Sequence, residues 1–121
     1  MSFIGIMEDC IFCKISGGEI PVDIIYENDN FFVIADANPF VNGHSLVISK
    51  KHFKNALDLP NTLGDEFFDA VKKASLKLMD ELKCEGFNLV QNNFKVAGQL
   101  VDHFHVHIIP RKEGDNVKIL H

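Results

Sequence analysis

Three histidines alternate with apolar residues in the stretch Asp102-His103-Phe104-His105-Val106-His107-Ile108-Ile109-Pro110-Arg111. Alternation is the period of a β-strand, whose successive side chains point to opposite faces. The pattern predicts one strand with His103, His105 and His107 on one face and Phe104, Val106 and Ile108 turned to a core. Same-face neighbours on a strand stand roughly 6.6 Å apart, which suits gripping one small anion or one metal ion. Two chemistries fit. Three imidazoles could hold a catalytic metal that keeps an open position. Alternatively, one histidine is a nucleophile and the others position a phosphate. Pro110 lacks the N–H that a ladder needs and is expected to end the strand.

Other groups bear on that choice. Cys10-Ile11-Phe12-Cys13 brings two thiols to a spacing that can chelate one tetrahedral zinc. Redox chemistry is the rival, but a redox pair of this kind should follow a strand and open a long helix. Here Gly17-Gly18 stops any helix within about two turns. His44 and His52 flank a further apolar run, Ser45-Leu46-Val47-Ile48-Ser49; either alone reads as a surface or core histidine. Asn92-Asn93 and Gly98-Gln99 precede the histidine stretch. They offer uncharged donors and close backbone approach, which suits a phosphate or a sugar.

The elements that must position these residues are five strands and one long helix. Val22–Glu27 and Phe31–Asp36 flank the turn Asn28-Asp29-Asn30 and should pair as a hairpin. His44–Ser49 and Phe87–Gln91 are the third and fourth strands, and the histidine stretch is the fifth. Phe67, Val71, Ala74, Leu78 and Leu82 recur at helical spacing after the start signal Pro60–Asp65, so one amphipathic helix of about five turns is expected to end before Gly86. Cys84 reads as a buried or partly buried bystander.

Size and charge bound the rest. A chain of 121 residues is expected to be one domain, 1–121. Lys plus Arg number 12 against 17 for Asp plus Glu, a formal charge of -5 with no basic block, so a long nucleic-acid partner is not expected. The apolar start Met1–Met7 is too short and uncharged for a signal peptide, and no apolar run approaches membrane-spanning length. Three cysteines suit a reducing compartment better than a disulfide scaffold, so the expected location is cytoplasmic.

From Cys10 to about Arg111 the chain resembles the histidine triad (HIT) family of nucleotide hydrolases and transferases. The resemblance rests on separated motifs: Cys-Ile-Phe-Cys-Lys-Ile, Gly-Glu-Ile-Pro, Gly-His-Ser-Leu-Val-Ile-Ser-Lys-Lys-His, Ala-Gly-Gln and His-Phe-His-Val-His-Ile-Ile-Pro-Arg. It implies an α+β fold, a five-stranded antiparallel sheet with one long and one short helix. It also implies a homodimer whose sheets join into ten strands. The implied activity is attack on the α-phosphate of a purine nucleotide conjugate through a covalent nucleotidyl-histidine. The leading substrates are nucleoside phosphoramidates or aminoacyl-adenylates. Dinucleoside polyphosphate hydrolysis is the second reading, and a nucleotide-binding scaffold the third.

The resemblance assigns residues. His105 matches the nucleophile, a role for which histidine as a residue type is suited. His107 matches the donor to the phosphate or leaving group, and His44 the histidine beside it. Asn92 and Gln99 match phosphate-orienting residues, Asp36 a ribose ligand, and Phe12 and Ile15 part of a base pocket. Cys10, Cys13, His52 and His103 match the ligands of a structural zinc that some members carry. That set takes His103 out of the phosphate site. Leu100 stands where a hydroxyl residue is common, Phe94-Lys95 where glycines are common, and Ser49 where proline is common. No tryptophan is present to complete a partner's site. These departures leave the leaving group open.

Overall fold

A computed structural model describes residues 9–120; the reading of Met1–Met7 lies outside the described residues. Five antiparallel strands form one sheet in the order β1-β2-β3-β5-β4: β1 Tyr26–Glu27, β2 Phe31–Ala35, β3 Ser45–Ser49, β4 Gly86–Val90 and β5 His105–Arg111. The short helix α1 spans Ile11–Ser16 and the long helix α2 spans Gly64–Leu82, the latter preceded by a 3-10 turn at Asn61–Leu63. The expected architecture of five antiparallel strands with a long and a short helix is the one observed. No described helix is long and apolar enough to cross a membrane.

Strand alternation splits the core between the two faces of the sheet. Phe31, Val33, Val47, Val106 and Ile108 face α2 and bury its Ala70, Val71, Ala74 and Leu78, with Phe67 and Leu82 packed at the margin. Phe104 joins this cluster as the alternation predicts. On the opposite face, Phe32, Ile34, Leu46 and Ile48 pack against Cys10, Phe12 and Cys13 of the N-terminal segment. Cross-strand pairs share a face; Leu46 pairs with His107 and Ile48 with His105. The histidines therefore stand on the α1 face, above the second cluster.

Three expectations change. His103 is not in the strand, which begins at His105. Its amide bonds the carbonyl of Val101, and its side chain is fully buried. Pro110 does not end the strand but pairs with Phe87 inside it. The reason is local. β3 has already ended where Ser45 meets Ile108. Arg111 turns its carbonyl to the β4 side, where the Glu85 amide bonds it; alternate residues face opposite edges, so Pro110 turns its nitrogen to the edge that β3 has left. The first strand is two residues long, not six. Tyr26 pairs with Val33, and continuing that register would set Asp23 opposite Asp36, a like-charge pair that a ladder disfavours. As expected, α2 ends before Gly86, with Lys83 at its C-cap in the left-handed conformation.

One glycine is dictated by space. Gly43, between β2 and β3, has φ +89, and a Cβ there would lie 2.2 Å from Cδ1 of Leu82. Any side chain would meet both steric and backbone penalties. The loop from Asp36 to His44 thus lies close against the end of α2 at Gly43.

Candidate functional site

The histidine row divides into three environments along a few residues of chain. The first is a four-residue group. Cys10 caps α1, with its Sγ accepting the Cys13 amide at 3.4 Å. Nδ1 of His103 lies 3.2 Å from Sγ of Cys10 and 3.5 Å from Sγ of Cys13, and Nδ1 of His52 lies 3.3 Å from Sγ of Cys13. All four donor atoms fall within 4.8 Å of one another. Sulfur and nitrogen on one tetrahedral zinc stand about 3.6 Å apart, given the usual Zn–S and Zn–N lengths.

The tautomer also fits a metal. Nε2 of His103 is 2.7 Å from the Ser49 carbonyl, which can only accept, so Nε2 carries the proton and the Nδ1 lone pair faces the sulfurs. A ligating histidine is held in this way by its other nitrogen. Burial lowers the pKa of His103 to about 4 and also lowers that of His52, keeping both imidazoles neutral. Cys10, Cys13, His52 and His103 form a group that can bind a metal.

His105 is the second environment. Its Nδ1 donates to the His103 carbonyl at 2.7 Å. The proton is therefore on Nδ1 and the lone pair on Nε2. Phe12 packs edge-on against it, ring centroids 5.2 Å apart, and against His103 at 5.7 Å. Phe12 is buried between the four-residue group and His105, with Ile15 partly buried beside the same cluster.

The third environment is the pair His44–His107. The Phe40 amide donates to Nδ1 of His44 at 2.9 Å. His44 must then carry its proton on Nε2, which lies 2.9 Å from Nδ1 of His107. His107 accepts there, so its own proton sits on Nε2. Oδ2 of Asp36 lies 3.4 Å from Nε2 of His44 and 3.8 Å from Nδ1 of His107, while Oδ1 accepts the Asn38 amide at 2.9 Å. Burial lowers the pKa of His107 to about 4, helped by His105 and His44 and opposed by Asp36. The pKa of His44 is lowered as well, burial outweighing Asp36. Asp36, His44 and His107 also converge closely enough to suggest a metal. The tautomer excludes it: a neutral His44 that accepts at Nδ1 has no lone pair on Nε2.

The two amides assigned to phosphate separate. Gln99 is buried and committed. Its Nε2 donates to the carbonyls of Lys54 at 2.6 Å and Val101 at 3.0 Å, and its Oε1 accepts the Phe94 amide at 2.8 Å. It ties two loops together and has no donor left for a ligand, so the geometry does not place it as a phosphate ligand. The Asn92 side chain lies against Gly98, at whose position a Cβ would approach Nδ2 to 3.3 Å. Phe94, in the turn where glycines are common, has φ 75, a strained value for an aromatic residue. The sequence gives no sign of the Phe40 amide or the Ser49 carbonyl, because both act through the backbone; the Ala-Gly-Gln motif marks Gln99 without revealing that its partners are carbonyls.

Residues 17–114 match the HIT domain family. The chain belongs to it. A HIT-like protein of Methanocaldococcus jannaschii is 45% identical over 106 residues, 88% of this chain and 81% of that protein. The adenosine 5'-monophosphoramidase HNT1 of Saccharomyces cerevisiae is 38% identical over 104 residues, 86% of this chain and 63% of that protein. Among solved structures, SMU.412c from Streptococcus mutans superposes with a TM-score of 0.89 at 38% identity, covering 98% of this chain and 76% of that one.

Proposed function

We propose that this HIT-family protein hydrolyses purine mononucleotide conjugates at the α-phosphate, with His105 as nucleophile. The observation that carries the reading is the opposed wiring of neighbouring histidines. His105 presents a lone pair on Nε2, and His107 presents an N–H on its own Nε2 from the same face of the same strand. A nucleophile beside a fixed donor is what in-line attack on phosphorus requires. The similarity to a monophosphoramidase supports a nucleoside phosphoramidate or a related acyl-adenylate as the substrate class.

His105 Nε2 forms a bond to the α-phosphorus as the bond to the leaving group breaks. The Nδ1–H bond to the His103 carbonyl steadies the charged imidazole that results. Water then attacks the same phosphorus, and the electron pair returns to Nε2. Asn92 orients the phosphate, Asp36 takes the ribose hydroxyls, and Ile15 with the edge of Phe12 lines the base. The side-chain polar contacts of Asp36, His44 and His107 are to one another and to the amides of Asn38 and Phe40, none of those observed among the described residues being to a lysine or arginine. This favours one phosphate over a polyphosphate chain.

Zinc on Cys10, Cys13, His52 and His103 would supply a closed, structural centre. It would tie α1 to the chain two residues before the nucleophile. A second copy would pair along the open edge of β4, where Phe87 and Leu89 are exposed on the helix side. We place the whole chain, 1–121, in one cytoplasmic domain. Mass spectrometry after mixing with adenosine phosphoramidate tests the central step: an adenylyl adduct on the wild type, absent from His105→Ala, is expected. An adduct that persists in the variant sinks the assignment.

A further inference from the structure

Phe94 holds a backbone shape that a side chain ordinarily forbids. Its φ of 75 and ψ of 154 fall in a region that belongs essentially to glycine. Such a residue persists only where its surroundings over-determine it, and Gln99 supplies that constraint. The Phe94 amide donates to Oε1 of Gln99 at 2.8 Å, and the Phe94 carbonyl accepts the Gln99 amide at 3.1 Å. One residue thus grips both backbone polar groups of the other. We propose that Gln99 is a positioning residue: it holds Phe94 in this strained shape, and the strained turn presents the Asn92 amide to the phosphate. This rests on the nucleotidyl-transfer reading above and deepens it, by saying what sets the phosphate's neutral donor in place.

The contacts run from Gln99 to Asn92 by two short routes. Along the chain, Phe94 follows Asn93, whose Oδ1 accepts the Ala56 amide at 2.8 Å. From the other end, Gly98 precedes Gln99 and closes the 3-10 turn Lys95–Ala97, its amide donating to the Lys95 carbonyl at 3.0 Å. Gly98 has φ 99 and lies against the Asn92 side chain, where a Cβ would stand 3.3 Å from Nδ2. Gln99 is anchored in turn, because its Nε2 donates to the carbonyls of Lys54 at 2.6 Å and Val101 at 3.0 Å. Its amide has one orientation only, since the Phe94 N–H can only donate and the two carbonyls can only accept.

The two side-chain amides differ in what they have left. Every donor of Gln99 is spent inside the protein. The Asn92 side chain has no hydrogen-bond partner among the described residues, so its donors are left for a ligand. An amide that turned freely would have to be ordered at each turnover; packing against Gly98 orders it beforehand. Without the grip of Gln99, Phe94 relaxes toward the backbone shapes open to a side chain, the turn shifts, and Gly98 leaves Asn92. Gln99 itself makes or breaks no bond to the substrate.

The full-length protein is assayed with adenosine phosphoramidate, below the melting temperature of every variant. Gln99→Met keeps the side chain's length and removes its hydrogen bonds. It should lower kcat on the order of 100-fold, the cost of a misplaced reacting group, and leave KM near the wild-type value. Glycine adopts the strained backbone unaided, so Phe94→Gly with Gln99→Met should recover on the order of tenfold or more of that loss. Phe94→Ala with Gln99→Met should recover none. Adding Gln99→Met to Asn92→Ala should cost little beyond Asn92→Ala alone, because the group being positioned is gone. A glycine double variant no faster than the alanine one overturns the proposal. So does a loss of about 100-fold from Gln99→Met on top of Asn92→Ala. A wild type with no turnover and no adduct on His105 overturns the nucleotidyl-transfer reading, and the proposal falls with it. Should Gln99→Met not fold, the single variants at Phe94 decide. Both lose the half-exposed ring, and Phe94→Gly should melt roughly 3 °C or more above Phe94→Ala, the reverse of the order at an unstrained position. A glycine variant that melts no higher means there is no strain for Gln99 to hold, and the proposal is overturned.

Discussion

At the Cys10–Cys13–His52–His103 group the His103 lone pair points inward to the two sulfurs; at the Asp36–His44–His107 group the lone pairs are consumed by N–H donors. Both groups contain two histidines and both lie on one face of one sheet. What differs is the partner of the outer nitrogen. A backbone carbonyl, from Ser49, forces a proton onto the far side of His103 and frees the near side for a metal. A backbone amide, from Phe40, forces the reverse on His44. The backbone thus decides which cluster can hold a metal and which is a donor chain, and the side chains alone would not. His105 stands between them with its lone pair outward.

The sharpest way to break the comparison is to remove the residue that belongs to neither group. His105→Ala should lower kcat/KM on the order of 10⁴-fold or more while nucleotide still binds; retention of a tenth of the activity would refute the assignment. Next, His107→Ala removes one fixed donor and should cost on the order of 10²–10³-fold in kcat, with metal content unchanged. Loss of metal in that variant would mean the two clusters are not separate.

Smaller effects probe the edges of each cluster. Asp36→Ala should weaken ribonucleotide binding by about 10-fold or more, the scale of a charge-assisted hydrogen bond, and affect 2'-deoxy analogues less. Equal losses would show that Asp36 acts only through His44. Cys10→Ser with Cys13→Ser should abolish about one zinc per chain and lower thermal stability. Activity should survive within about 100-fold, the usual reach of outer-shell changes. A double variant that keeps its zinc, measured by elemental analysis, would disprove the closed site.

The gentlest test is pH. Burial lowers the pKa of His107 from 6.5 to about 4, so between those values the unfolded chain binds a proton that the folded one refuses. Its contribution is complete above about pH 6.5 and is lost as pH falls toward about 4. Metal-free protein should show a denaturation midpoint that drops across this window, and His107→Gln should show a shallower drop. An identical slope in the variant would assign the acid sensitivity to other groups.

Much of this was legible in the residues. The alternation of Phe104, Val106 and Ile108 and the helical stripe from Phe67 to Leu82 each report a single periodic face, and both pack as expected. The Cys-x-x-Cys pair and the distant His52 and His103 were identifiable by type, and they do converge. Periodicity could not say that His103 leaves the strand, because a bent residue before a strand leaves the same alternating text. It could not place Pro110 inside β5, because that depends on where a neighbouring strand stops. Nor could it assign tautomers, which follow from the amide of Phe40 and the carbonyls of Ser49 and His103 and have no side-chain signature.

Gly43 bears on how this sequence is free to drift. Its missing side chain is the space that Leu82 occupies, and Cγ of Pro110 lies 3.2 Å from where a Cβ would stand, so the donor-chain loop meets the end of α2 and β5 at one place. Positions 43, 82 and 110 therefore form a single heritable unit. A larger residue at 43 demands room at 82 and 110 and still bears the left-handed backbone penalty, whereas Phe68 and Leu76, exposed on the same helix, can vary without disturbing a single imidazole.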